Sequence, residues 1–191
     1  MHEFFRLFLA PLLFIICTGC LATEGIAAKK VAPPAEYPQG KPVQPPVKPA
    51  ATSGQTVNSD FFSVRLPAGW NMAYPLNRKP GGTSAVFTSE ASQVTVTINI
   101  LKSSFDAKKF VNIVWNDMKK SGLKPSAPHQ EGKFYTIRFN GKPGGQAWFA
   151  ANGSLCVATV ILTPLADISS ANAFLQAIKS RNRDLFPMQV K

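Results

Sequence analysis

The reactive side chains of this chain are few and far apart. Its 191 residues hold two histidines, at positions 2 and 129, three cysteines, at 17, 20 and 156, and ten carboxylates. His129, between Pro128 and Gln130, is expected in a loop, with no second histidine beyond the amino end to share a metal ion and no partner that would make it a base. Cys156 sits in the apolar run SLCVATVILT, where a free thiol acts as a small hydrophobe. A nucleophile would need a neighbouring base, and none is offered. The carboxylates at 60, 90, 106, 117, 131, 167 and 184 are scattered, and nothing in their spacing pairs two of them for hydrolysis. Gly141-Lys142-Pro143-Gly144-Gly145 lacks the order and the strand-to-helix context of a phosphate loop and reads as a hairpin. Asn152-Gly153-Ser154 matches a glycosylation sequon, but an Asn-Gly turn accounts for it. The chain is therefore expected to be no enzyme and to hold neither metal nor cofactor, and three cysteines at these spacings build no disulfide framework.

What remains is electrostatic. Lys and Arg number 21 against 10 acids, a formal charge of +11, and residues 58–191 carry 16 of those cations against seven acids. The cations gather at Lys108, Lys109, Lys119 and Lys120, followed by Lys124, and again at Lys179, Arg181 and Arg183. Two readings of the first group stand side by side. One is a solvated helix face, its cations suiting the negative carboxyl end of the helix dipole. The other is a binding face for an anionic partner: phospholipid headgroups, acidic polysaccharide or an acidic protein. Nucleic acid is set aside because a secreted domain rarely meets it. Trp70, Trp115 and Trp148 are expected in the core rather than in a ligand platform.

Secretion is read from the amino end. Residues 4–17, FFRLFLAPLLFIIC, are apolar but for Arg6 and lead into Thr18 and Gly19, which has the form of a signal-peptide apolar region and cleavage zone. The run is short for a bilayer core of about 30 Å, and Pro11 interrupts it, which argues against a permanent span. Ile16-Cys17-Thr18-Gly19-Cys20 resembles a bacterial lipobox. On that resemblance Cys20 is the lipidated first residue of the mature protein, where several acyl chains together give durable anchoring. Cys17 stands where Leu is usual, so cleavage after Ala22, giving a soluble periplasmic or secreted protein, is the alternative. Leu21 offers no acidic signal at the second mature position, which by the same resemblance points to the outer membrane.

Residues 28–57 contain seven prolines (33, 34, 38, 42, 45, 46 and 49) and almost nothing that packs. At about 3.1 Å per residue, thirty such residues reach roughly 90 Å from an anchor. The expected organisation is a signal peptide over 1–19, a Pro-rich tether over 20–57 and one domain over 58–191.

Within that domain the period switches from two to 3.6 and back. FFSVRL alternates, Pro67-Ala68-Gly69-Trp70 turns the chain, and a short strand is expected between Trp70 and Leu76. After the turn at Lys79-Pro80-Gly81-Gly82, SAVFTS and VTVTINILK make two strands. Asp106 opens a helix whose apolar residues Phe110, Val111, Val114, Trp115 and Met118 recur every three or four positions until Gly122 stops it. KFYTIRFN, QAWFAAN and SLCVATVILT follow as strands, the last apolar on both alternations and therefore interior. A final helix is expected from Ser169 or Ser170 to Arg183, with Ala171, Phe174, Leu175 and Ile178 on one stripe. The fold class is α+β, a largely antiparallel central sheet between helical layers.

The order of these elements, with Phe62-Ser63-Val64-Arg65-Leu66-Pro67-Ala68-Gly69-Trp70, Asp106 to Gly122, Gly145-Gln146-Ala147-Trp148-Phe149 and Phe174-Leu175-Gln176-Ala177-Ile178, resembles the PsbP-like superfamily, whose fold is shared by DcrB-type bacterial envelope lipoproteins. The resemblance implies an α/β/α sandwich and an accessory or binding role without catalysis, and it brings no shared site motif. Two functions are weighed: a non-catalytic, envelope-anchored accessory protein binding a protein or an anionic envelope component, and a periplasmic small-molecule binder or hydrolase with a pocket around His129 or Cys156.

Overall fold

A strand that is apolar on both alternations has to be covered twice, and the segment Leu155–Leu162 is buried at every position. The computed structural model describes residues 51–140, 144–163 and 168–189, and it sets this segment near the middle of the larger of two sheets. The signal peptide, Cys20 and the tether up to residue 50 lie outside the described residues.

In chain order the elements are β1 (Thr56–Asn58), β2 (Ser63–Arg65), β3 (Trp70–Met72), β4 (Asn77–Lys79), β5 (Gly82–Ser89) and β6 (Val94–Lys102). Helix α1 (Ala107–Lys120) follows, then β7 (His129–Glu131), β8 (Phe134–Phe139), β9 (Gly145–Ala151) and β10 (Leu155–Leu162). Helix α2 (Ile168–Ala177), β11 (Ile178–Lys179) and a 3-10 turn at Arg183–Leu185 close the domain. The large sheet runs β3-β5-β6-β10-β9-β8-β7, with β4 also on β5, and a small sheet runs β1-β2-β11. Every pairing is antiparallel.

Register decides which side chains share a face. Val157, Thr159 and Ile161 of β10 stand opposite Ile100, Ile98 and Val96 of β6 and so point the same way. That face is closed by α2, through Ala171, Phe174 and Leu175, and by the small sheet, through Val57, Val64 and Ile178. The opposite face carries Cys156, Ala158, Val160 and Leu162, with Ala147 and Phe149 of β9 and Ile137 and Phe139 of β8 beside them. It is closed by Phe110, Val111 and Met118 of α1. The expected sheet between two covers is present, with one addition: a second sheet shares the α2 side. Gly82 and Gly145 allow close strand approach, since a side chain at either would run into the carbonyl of Ile100 or Ile161.

Two boundaries differ from expectation. Residues 51–57, assigned above to the tether, belong to the folded domain: Thr56–Asn58 pairs with β2, Val57 is buried, and the Met72 N–H donates to the Ala51 carbonyl at 2.8 Å. The last helix stops at Ala177 rather than Arg183, because Ile178 and Lys179 leave it to pair with Val64 and Ser63 of β2. The Arg183 guanidinium turns back on the freed helix end, donating to the Leu175 carbonyl at 2.9 Å and to the Phe186 carbonyl at 3.2 Å. Partial burial lowers the pKa of that guanidinium from its ordinary value.

Candidate functional site

The residues with reactive chemistry do not converge. His129 lies on the edge strand β7 rather than in a loop, because it pairs with Thr136 of β8; it is exposed, and its carbonyl accepts from the Thr136 hydroxyl at 3.3 Å. Cys156 is fully buried on the α1 side of the sheet, its sulfur 3.6 Å from the Phe105 carbonyl. Burial is the main cause of its raised pKa; a hydrogen bond with Ser103 works the other way, and the Asp106 charge adds to the rise. Such a thiol stays protonated and unreactive. Asn152 is held by its own turn, its Oδ1 accepting from the backbone N–H groups of Ser154 at 3.1 Å and Leu155 at 2.9 Å. Gly141, Lys142 and Pro143 lie outside the described residues. Among the described residues no three of His, Cys, Asp and Glu gather closely enough to hold a metal ion.

The four lysines do converge, and α1 is built to hold them. Asp106 caps the helix, its Oδ1 accepting from the Lys109 N–H at 2.7 Å. At the other end Gly122 takes φ of +82°, which a glycine adopts without strain. That turn lets Leu123 N–H donate to the Met118 carbonyl at 3.1 Å and Gly122 N–H to the Lys119 carbonyl at 3.0 Å, a Schellman ending. Between the caps Phe110, Val111 and Met118 bury one side, with Phe110 edge-on to Phe149 at 5.6 Å.

The other side is exposed at Lys108, Lys109, Asn112, Asn116, Lys119 and Lys120. Eleven residues carry a helix through three turns and about 20°, so Lys119 stacks over Lys108 and Lys120 over Lys109, each pair about 16 Å apart. The result is a rectangle of cations with two asparagines at its centre. The helix contributes two acids to its surroundings, Asp106, occupied as the cap, and Asp117, which pairs with Lys120 at 3.8 Å. Lys124 is exposed just beyond the helix end. Asp106, Lys108, Lys109, Asn112, Ile113 and Asn116 line an open hollow of about 360 Å³, shallow rather than enclosed.

Two of the lysines lie over aromatic rings. The Lys119 ammonium stands 3.2 Å from the centre of the Trp115 ring and Lys109 4.6 Å from that of Phe105. Both rings are partly buried against the α1-side core. Trp70 and Trp148 are buried, as expected of core residues, whereas Trp115 borders the basic face. Phe105 and Trp115 went unrecognised in the sequence as part of this surface. For Trp115 the signal was there: it precedes Lys119 by four residues, the spacing at which helix side chains meet, whereas Phe105 lies before the Asp106 cap and outside that rule.

No family model matches the chain, and no curated protein matches it. Solved structures similar to it include the cyanobacterial PsbP (CyanoP) of Synechocystis sp. PCC 6803, at 11% identity and a TM-score of 0.42 over 66% of this chain and 91% of that one. A crystal structure from Bacteroides thetaiotaomicron VPI-5482 is similar at 14% identity and a TM-score of 0.37, over 70% of this chain and 50% of that one. The chain thus spans half the length of the Bacteroides protein. The likeness in both cases is one of fold and says nothing of what this chain binds.

Proposed function

We propose that this chain is a non-catalytic accessory protein of the bacterial cell envelope, held by lipid at Cys20 and by its Pro-rich tether on the periplasmic side of the outer membrane. In this reading it binds an anionic envelope component, or a protein with an acidic surface, through the basic face of α1.

One observation carries the reading. Lys108 and Lys109 occupy the first turn of α1, the positive end of the helix dipole, and that turn contains no acidic residue. Cations there oppose the dipole rather than complement it. Helix stability accounts for Lys119 and Lys120 in the last turn; it does not account for the first pair. Residues kept exposed against the local electrostatics are a mark of a surface used for something else. The filled core around Cys156 and the exposed position of His129 lend the pocket-based reading no support.

Replacing Lys108, Lys109, Lys119 and Lys120 together by Gln tests the reading in an affinity capture from the native envelope. The expected result is loss of salt-sensitive partners with thermal stability nearly unchanged. Capture equal to that of the unsubstituted protein at low salt overturns it. The anchor has its own test: mass spectrometry of the mature amino-terminal peptide should find lipid on Cys20 and none after Cys20→Ser, whereas a mature chain beginning at Thr23 means ordinary signal cleavage.

A further inference from the structure

We infer that the basic face of α1 is an adhesion surface for an anionic phospholipid bilayer, with Trp115 as its interfacial anchor and Lys119 as a cover that leaves the ring on contact. The inference rests on the proposed function above and names the partner.

The first argument is the kind of cation. All four corners of the rectangle are lysine and none is arginine. Lysine is a compact point charge, depleted at protein–protein interfaces, where arginine's planar fork is preferred for pairing with carboxylates. A patch of lysines is what a fluid layer of phosphate headgroups recruits, because lipids rearrange laterally to meet point charges and need no fixed counterpart.

The second argument is shape. The exposed side of a helix is convex, and the hollow on it is open. A small ligand has nothing to enclose it, whereas a surface can lie against all four corners at once.

The third is the aromatic rim. The Lys119 ammonium covers the Trp115 ring at 3.2 Å, and the buried Trp115 Nε1–H has no hydrogen-bond acceptor among the described residues. A buried donor left unmatched is unfavourable. Moving Lys119 from the ring to a lipid phosphate uncovers the face of the indole, and a ring turned outward then gives its N–H acceptors among the glycerol esters and phosphates. Tryptophan is enriched at that boundary because its ring has an apolar body and one polar edge. Lys109 over Phe105 repeats the arrangement at the other end of the helix, at 4.6 Å.

The fluorescence of this protein isolates the event. Trp70 is 1% and Trp148 5% exposed, so Trp115 is the tryptophan placed to report contact, and residues 1–50 contain none. The experiment uses the full chain with vesicles of phosphatidylcholine, with or without phosphatidylglycerol. The readouts are tryptophan emission and its quenching by a lipid carrying a doxyl group near the headgroup. Anchoring by the amino end alone leaves both readouts unchanged.

The expected result is a blue shift and shallow quenching on vesicles containing phosphatidylglycerol only, reversed by salt and absent in Trp115→Phe. Each lysine at an anionic surface strengthens partition about fivefold, so the quadruple Gln variant should need several hundredfold more lipid, about 600-fold if the four act independently. Quenching in the unsubstituted chain does not depend on any variant folding. Retention on a polyglutamate resin through the same four lysines, with no Trp115 response on phosphatidylglycerol, overturns the lipid inference and leaves the proposed function standing. No retention and no response overturn both.

Discussion

The two helices of this domain cover opposite faces of one sheet, and only one of them is explained by that task. In α2 the buried residues Ala171, Phe174 and Leu175 serve packing, with Phe174 lying 4.5 Å from Trp70 and 4.8 Å from Phe87. Its Ser170 hydroxyl bonds Ser92, and its carboxyl end is finished by Arg183. In α1 the buried side is equally committed, yet the exposed side carries four lysines, two of them at the end of the helix where cations are disfavoured. Comparing the covers separates what the fold requires from what it merely carries. Requirement is shared by both helices; the surplus is on α1.

The largest test of this contrast is in the cores, where the two helices should behave alike. Phe174→Ala and Phe110→Ala should each cost about 3–5 kcal/mol in denaturant unfolding, as truncation of a buried phenylalanine does. A near-neutral Phe110→Ala would mean that α1 is a loosely held appendage. Next is the domain boundary. A chain beginning at residue 58 loses Thr56 and Val57 of β1, the burial of Val57 and the Ala51–Met72 bond, and should be about 2–3 kcal/mol less stable than one beginning at 51. Asp106→Ala removes the α1 cap and should cost about 1 kcal/mol, with no counterpart effect on the α2 side.

Cys156 adds a pH dependence confined to the α1 side. Its folded pKa is raised, so the folded state holds the thiol proton more tightly than the unfolded chain does. That contribution is fully present below the unfolded thiol pKa of about 8.5 and is lost as pH rises through it toward the folded value. Stability should therefore fall on the alkaline side, less so in Cys156→Ala, and the native thiol should ignore a disulfide reagent until the protein unfolds. The smallest effect is the most telling. Lys108→Gln with Lys109→Gln should raise Tm by about 1–2 °C while weakening anion binding, because the exchange relieves the helix dipole. A drop in Tm would mean that these lysines serve the fold after all.

The sequence made the helix α1 readable from cap to stop because its signals are local: Asp106, a 3.6-residue apolar stripe and Gly122 are all within one segment. The basic face followed from the same periodicity. Strand β10 was legible for a similar reason, since apolar residues on both alternations admit only an interior position. What stayed hidden depended on distant partners. Thr56-Val57-Asn58 has one apolar residue and no period, and it is a strand only because β2 is there to pair with. Ile178 continues the stripe of α2 in sequence but is claimed by Val64, so tertiary pairing overrides helix propensity. The contact of Trp115 with Lys119 was encoded in spacing, but the ring also fits the apolar stripe, and periodicity alone assigned it wholly to the core.

The small sheet has a consequence in time. Its central strand β2 is flanked by β1, the first strand of the domain, and by β11, the last, while Phe62 beside it meets Phe87 at 6.5 Å and Phe186 at 6.2 Å. Whichever end of the domain arrives first, β2 waits half-paired until more than a hundred residues later its other edge is filled. Closing so long a loop comes late and slowly. A chain emerging in order from a ribosome therefore cannot lock its core until the segment reaching Phe186 has followed. Up to that moment the domain stays open at β2, and the arrival of β11 closes both ends of the domain at once.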